Sequence, residues 1–464
     1  MRSFLFGSFV FLFAGSLKAQ SDSVFIRKIA DEIFHHSTAY SNLYTLTKTI
    51  GQRLSGSPST YTSEKWGKEV VAKAGADRVY LQKAMIPHWV RGGKDQAALV
   101  SGKNRQSLAV IALGNSVSTP VGGITAPMIL IHDFDELEKR KNEVKGKIVF
   151  YNHPFNVDYV WTFLVYSEAV PYRVFGASRA AKYGAVAVVV RTMSESTDNI
   201  PHTGAMIYND SFPKIPTLAI GLQDADKLVA AVTAKMVAAD LKESQKELSL
   251  FISTNAHTLP DTVGYNVIGE WKGSEFPDQY ITVGGHLDSW DPAEGAHDDG
   301  AGCVQSIEVL RALKAMGYHP KHTIRVVLFT DEENGGRGAK TYSAEAKAKN
   351  EKHIFALESD GGGFTPRGFS FKGTDEQMAI VRPWLPLFVP YGVTEFNTGG
   401  AGADVEPLNE SIGTLASELI PDSQRYFDIH HAASDVFEKV NKRELELGAI
   451  NMAALIYLTD KYGL

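Results

Sequence analysis

Apolar and polar positions divide the chain into three stretches. Over residues 21–76, apolar residues recur at helical spacing: Ile26, Ile29 and Ile33, then Leu43, Leu46 and Ile50, then Trp66, Val70 and Val71. That spacing predicts amphipathic helices. Strand-like segments follow as far as about Leu113. From about Val121 to Val232 the character changes. VKGKIVFYN (144–152) reads as a strand after a basic turn, ASRAAKYGAVAVVVR (177–191) as helix then strand, and IPTLAIG (215–221) as a strand before another helix. Buried strands return at about Leu248. Tyr280, Ile281 and Val283, then TIRVVLFT (323–330), then residues 353–357 are short apolar runs of the kind found in strands covered on both faces. Cys303, Val304, Ile307, Leu310 and Leu313 share a helical face, and 443–462 predicts a C-terminal helix. The expected fold is α/β: a mixed sheet sandwiched between helices, interrupted by a second α/β segment.

Chemistry-bearing residues gather where the predicted strands end. The first run leads through two glycines to His286 and Asp288, with Asp298–Asp299 in the Gly-rich turn beyond. The second ends in Asp331, Glu332, Glu333 and a Gly-Gly pair, and the third in Glu358, Ser359, Asp360 and three glycines. A fourth cluster, Asp428, His430, His431 and Asp435, lacks the glycine. In open α/β sheets, ligands bind at the carboxyl edge, where such loops converge. Neutral imidazole and ionised carboxylate are both good zinc donors. A single cluster of this kind is usually a helix cap; four in succession predict a metal site.

The motifs GGHLDSWD (284–291), GAHDDGAG (295–302), EENGGRGA (332–339), ESDGG (358–362) and HHAASD (430–435), with GQRLSGS (51–57), resemble the co-catalytic dizinc exopeptidases. That family includes bacterial leucine-type aminopeptidases and glutamate carboxypeptidases, and the likeness is greatest to its plasma glutamate carboxypeptidase branch. It implies two Zn²⁺ per chain. His286 and Asp360 would bind one ion, Glu333 and a C-terminal His the other, and Asp298 would bridge them. Glu332 would be the catalytic base, and Asp288 would stand behind His286. The family usually has His-Thr before an Asp, where this chain has HHAASD. The family's spacing from ligand His to Asp fits His431 with Asp435, so the resemblance implies His431 rather than His430. The resemblance also implies that 121–232 is a protease-associated domain serving as a lid. It would sit between peptidase segments 20–120 and 233–464.

The residue types suit the chemistry. Two metals ~3.5–4 Å apart can share one water and lower its pKa towards ~7. A zinc-bound imidazole usually passes its other N–H to an acceptor, the role expected of the Asp288 carboxylate. Side chains of successive strand residues alternate faces, so Glu333 can ligate while Glu332 stays free to move the water's proton. His297 and Asp404 are the expected substrate-pocket residues, and Arg367, Arg382 and Arg425 are candidate carboxylate partners.

Composition narrows the class. Arg2, an apolar run at 4–13 and Leu17, Lys18, Ala19 read as a signal peptide spanning 1–19, leaving Gln20 first. An exported protein, periplasmic or extracellular, is expected. Cys303 is the sole cysteine, which excludes an intrachain disulfide. A net charge of -6 argues against nucleic acid as a partner, and no later segment is apolar for long enough to span a membrane. Small peptides are the expected partners, with a homodimer open. The activity the resemblance implies is hydrolysis of small unblocked peptides. Three alternatives stay open: aminopeptidase action on longer peptides, a single-zinc glutaminyl cyclase, and a non-catalytic receptor-like homologue.

Overall fold

The computed structural model describes residues 6–240 and 248–464, with side chains described for 21–236 and 248–464. The leader reading falls on 1–19, whose side chains lie outside those described. The chain opens with α1 (Phe6–His36), α2 (Ala39–Tyr44) and α3 (Pro58–Lys73), then β1 (Arg78–Val90). Next come β2 (Gln96–Ser101), β3 (Asn104–Leu108), β4 (Val110–Ala112), β5 (Ile124–Ile131), α4 (Phe134–Lys139) and β6 (Ile148–Tyr151). They are followed by α5 (Thr162–Ala181), β7 (Ala187–Arg191), β8 (Thr217–Ile220), α6 (Leu222–Asp240) and β9 (Leu248–Ser253). The remainder holds β10 (His257–Trp271), β11 (Phe276–His286), α7 (Ala301–Ala315), β12 (His322–Phe329), α8 (Arg337–Ala348) and β13 (Lys352–Glu358). It closes with β14 (Pro366–Lys372), α9 (Asp375–Val381), β15 (Glu395–Thr398), α10 (Glu406–Ile412), β16 (Leu415–Pro421) and α11 (Lys442–Tyr462).

Two eight-stranded mixed sheets result. The first runs β1-β10-β12-β11-β13-β16-β14-β15. At its centre β11 lies parallel to both β12 and β13, and β13 parallel to β16. Every residue of β12 is buried, including Arg325, whose charge is paired with Glu270 and Glu351. Alternate residues of β12 serve opposite faces. Val326 and Leu328 join the core under α1, α7 and α11, whereas Val327 and Phe329 pack under α8 and α10. Ile26, Ile29 and Ile33 of α1 and Leu455 and Leu458 of α11 complete the first of these layers.

The second sheet runs β3-β2-β9-β5-β6-β7-β8-β4, with α4 and α5 over one apolar face and α6 over the other. All its strands lie between Val90, where β1 ends, and His257, where β10 begins, and those two residues are paired neighbours across the β1–β10 ladder. The second sheet is thus inserted at the tip of a β-hairpin of the first, and it occupies 91–256. That is wider than the expected 121–232, because β4 pairs with β8, and β9 pairs with both β2 and β5.

Two apolar contacts dock the units. Phe155, Val165 and Met193 meet Phe364, Tyr426 and Phe427, while Ala112 and Ala256 meet Trp89 and Trp290. Arg91 adds a two-pronged pair to Asp291, its Nε donating at 2.7 Å. No helix among the described residues is long and apolar enough to cross a membrane.

Candidate metal centre

Register brings the strand-end clusters to one edge. His286 at the end of β11 is the lateral partner of Phe329 in β12, and Gly284 that of Glu358 in β13. The loops carrying Asp331–Glu333 and Asp360 therefore leave the sheet beside His286. Asp298 reaches the same point from the turn before α7. That approach needs glycine: a Cβ on Gly302 would sit 1.8 Å from the Ser359 carbonyl oxygen, and one on Gly285 2.3 Å from Asp299 Oδ2.

Asp298 is the hub. His286 Nε2 lies 3.2 Å from Asp298 Oδ1 and 3.2 Å from Asp360. His431 Nε2 lies 3.3 Å from the other oxygen, Asp298 Oδ2, and 3.0 Å from Glu333. His430 stacks on His431 with ring centres 3.6 Å apart, but its Nε2 is 3.8 Å from Asp298. His431 and Asp331 hold positive φ (59° and 66°), a conformation that costs non-glycine residues energy and concentrates at functional sites.

The electrostatics follow from crowding. Burial opposes charge on His286, yet Asp360, Asp298 and Glu332 push its pKa well above the usual range. His431 is raised to about 10: burial works against this, and Glu333 and Asp298 outweigh it. Burial, with repulsion from Asp298, raises Glu333 to about 7. Burial also raises Asp298, but hydrogen bonds from both imidazoles hold it well below its ordinary value. Glu332, which faces the cavity, is pushed well up by burial and by Asp360 and Glu333. So many carboxylates around two imidazoles need cationic charge. The donor atoms of His286, Asp298 and Asp360 lie within 4.8 Å of one another, as do those of Asp298, His430 and His431. Glu333 Oε1 is buried without a partner. His286, Asp298 and Asp360 on one side, and Asp298, Glu333 and His431 on the other, fit divalent zinc, which favours imidazole and carboxylate ligands.

Three expectations change. The His286 Nδ1–H goes to the Asp288 backbone carbonyl at 3.0 Å, not to its carboxylate, which is 3.7 Å away. The Asp288 carboxylate instead accepts the Glu332 and Glu333 backbone N–H groups and the Ser55 hydroxyl at 3.1, 3.3 and 2.9 Å, so it fastens the acidic turn. His297 does not reach the cavity. It is buried, stacked on Phe364 at 4.2 Å and accepting from Gly363 N–H, and burial lowers its pKa to about 4. Asp404 is also buried away from the cavity, its N–H donating to Glu358 and its carboxylate unpartnered.

The candidate arginines lie elsewhere too. Arg367 and Arg425 pair with Asp422 and Glu444, and Arg382 lines a neighbouring groove.

Three further residues of the quoted motifs hold the loops around the site. Asp299 accepts the His286 and Gly302 N–H groups, and Asp435 those of His297 and Asp298. Arg53, from the GQRLSGS motif, is fully buried and donates to the carbonyls of Gly51, Leu287, Glu294 and Gly295, which pins the loop after His286. The cavity at the donor residues measures about 370 Å³, and Phe163, Tyr166 and Arg173 of α5 form part of its wall. It shares Phe163 and Glu418 with a groove of about 1160 Å³.

The sequence model of peptidase family M28 matches residues 266–456. The chain is similar to carboxypeptidase Q of Mus musculus, with 35% identity over 424 residues, covering 91% of this chain and 86% of that protein. Among solved structures, it is similar to a peptidase M28 precursor from Shewanella amazonensis SB2B. Identity is 30% and the TM-score 0.89, covering 96% of this chain and 98% of that one. BSAP, a zinc aminopeptidase from Bacillus subtilis, shares the fold at 21% identity with a TM-score of 0.64, covering 90% and 94%.

Proposed function

The chain belongs to peptidase family M28, and from that membership and the site we propose that it is a dizinc exopeptidase acting on small unblocked peptides. The observation that carries this reading is the sharing of Asp298: one oxygen faces His286, beside Asp360, and the other faces His431, beside Glu333. His286 and Asp360 would hold one ion, Glu333 and His431 the second, with Asp298 common to both. Two bound zinc ions would acidify a shared water and polarise the peptide carbonyl.

The chain's own residues do the rest. Glu332, free of ligand duty, takes the water's proton and returns it to the leaving amine. Asp288 holds the Glu332–Glu333 turn through its backbone N–H groups, which keeps base and ligand in fixed relation. The Nδ1–H bond to the Asp288 carbonyl sets the His286 tautomer that presents Nε2. Phe163 and Tyr166 narrow the cavity to the size of a short peptide. The adjoining groove favours a second reading, aminopeptidase action on longer peptides.

Metal analysis with hydrolysis of blocked and unblocked di- and tripeptides tests the proposal. Near two zinc per chain is expected, falling to near one in His431→Ala and staying at two in His430→Ala. A single zinc in the wild type would support the cyclase alternative. Export is part of the same proposal, and N-terminal sequencing of the mature chain should begin at Gln20.

A further inference from the structure

One cation in the wall of the metal cavity has no anion. Arg173 is 6% exposed and borders the cavity from α5. One guanidinium nitrogen donates to the Tyr166 hydroxyl at 2.6 Å, and another lies 3.4 Å from His431 Nδ1. Its Nε is buried without a partner. Among the described residues it forms no ion pair, because the nearby carboxylates Asp298 and Glu333 turn to the imidazole Nε2 atoms instead. A buried charge is costly unless it is paired or fully hydrogen-bonded. Arg53 shows the satisfied alternative, with four carbonyl acceptors around a fully buried guanidinium. With Asp298 and Glu333 committed to metal, nothing among the described residues supplies what Arg173 lacks.

We propose that Arg173 is the specificity residue that binds the substrate's C-terminal carboxylate. The inference rests on the dizinc peptidase reading. Arg173 stands one imidazole ring away from the donor atoms around Asp298. A single residue beyond the scissile bond, ~3.3–3.6 Å long, and one charge-assisted hydrogen bond bridge that gap. Guanidinium binds carboxylate in a fixed two-pronged geometry, which gives direction as well as affinity. A peptide extended by further residues would place a neutral amide there and leave the charge uncompensated.

The test compares alanyl-phenylalanine with its C-terminal amide, alanyl-phenylalaninamide, on zinc-loaded protein. Wild type should prefer the free acid in kcat/KM by about 100-fold, the scale of losing one partner of a buried charge pair. Arg173→Met should lose that preference to within about threefold. The loss should fall on KM for the acid, with zinc content unchanged. Arg173→Lys should retain part of the preference.

Equal rates on acid and amide in the wild type would overturn the proposal without any variant, so it does not hang on how Arg173→Met folds. A proportional loss on both substrates in Arg173→Met would also overturn it, and would make Arg173 a positioning residue for His431. Hydrolysis of neither peptide by zinc-loaded wild type would overturn the peptidase reading itself, a separate and recognisable failure.

Discussion

Glu332 and Glu333 are adjacent and chemically alike, yet their surroundings part their roles. Both border the cavity and donate their backbone N–H to Asp288, but it is the Glu333 carboxylate that meets His431, at 3.0 Å. Glu332→Gln preserves size and hydrogen bonding but cannot accept a proton. It should lower kcat by ~10²–10⁴-fold while zinc content stays at wild-type level; near-wild-type turnover would remove Glu332 from the mechanism. The imidazoles predict a pH dependence of metal uptake. Without metal, His431 stays protonated up to about 10, and His286 is raised as well. Zinc needs both rings neutral, so binding expels protons and tightens as pH rises. Titration at pH 7 and 8 should show affinity growing about tenfold per unit for each proton displaced, and equal affinities would contradict it. Residues placed by a strand end beside glycine, such as His286 and Asp360, were legible in the sequence. His297 and Asp404 were not, because stacking on Phe364 and a backbone hydrogen bond to Glu358, neither marked by a motif, decide where these loops lie. Arg173 lies 258 residues from His431, and no motif joins them.

At the scale of elements, the site depends on how closely α7 approaches the ends of β11 and β13. Asp299 accepts the N–H groups of both His286 and Gly302, tying strand to helix, and the bridging Asp298 is its neighbour. Gly302→Ala would drive a methyl group to 1.8 Å from the Ser359 carbonyl. The helix would have to retreat and take the Asp298–Asp299 turn with it. Overpacking of this kind costs ~1–3 kcal/mol. A lower melting temperature and a reduced zinc content together are the expected result in thermal unfolding and metal analysis. A lower melting temperature with two zinc still bound would show that the turn holds its place without α7. The central strands and α11 were readable from their patterns, since buried apolar runs and long helical repeats report their own environment. The pairing of β2, β4 and β9 was not, because alternation marks a strand without naming its neighbour.

For the whole molecule, the decisive fact is that Val90 and His257 are paired neighbours with the entire second unit between them. A two-residue Asn-Gly turn, the kind that closes hairpins, could therefore replace 91–256. Cutting at 121–232 would instead take β5 from β9 and β8 from β4, leaving unpaired edges that invite aggregation. None of His286, Asp298, Glu333, Asp360 and His431 lies in the replaced segment, so the shortened chain should still bind two zinc ions. It would lose stability, because Trp89, Trp290, Tyr426 and Phe427 lose their covering partners. It would also lose Phe163, Tyr166 and Arg173 from the cavity wall. A wall of this kind excludes long substrates sterically and supplies contacts to short ones while leaving the chemistry to other residues. The shortened enzyme should therefore show a raised KM for dipeptides and accept longer peptides, as measured by product analysis over a length series. If a folded variant with two zinc ions keeps the wild-type KM and length profile, the second unit takes no part in selecting substrate, and the selectivity must lie in the first sheet and its loops.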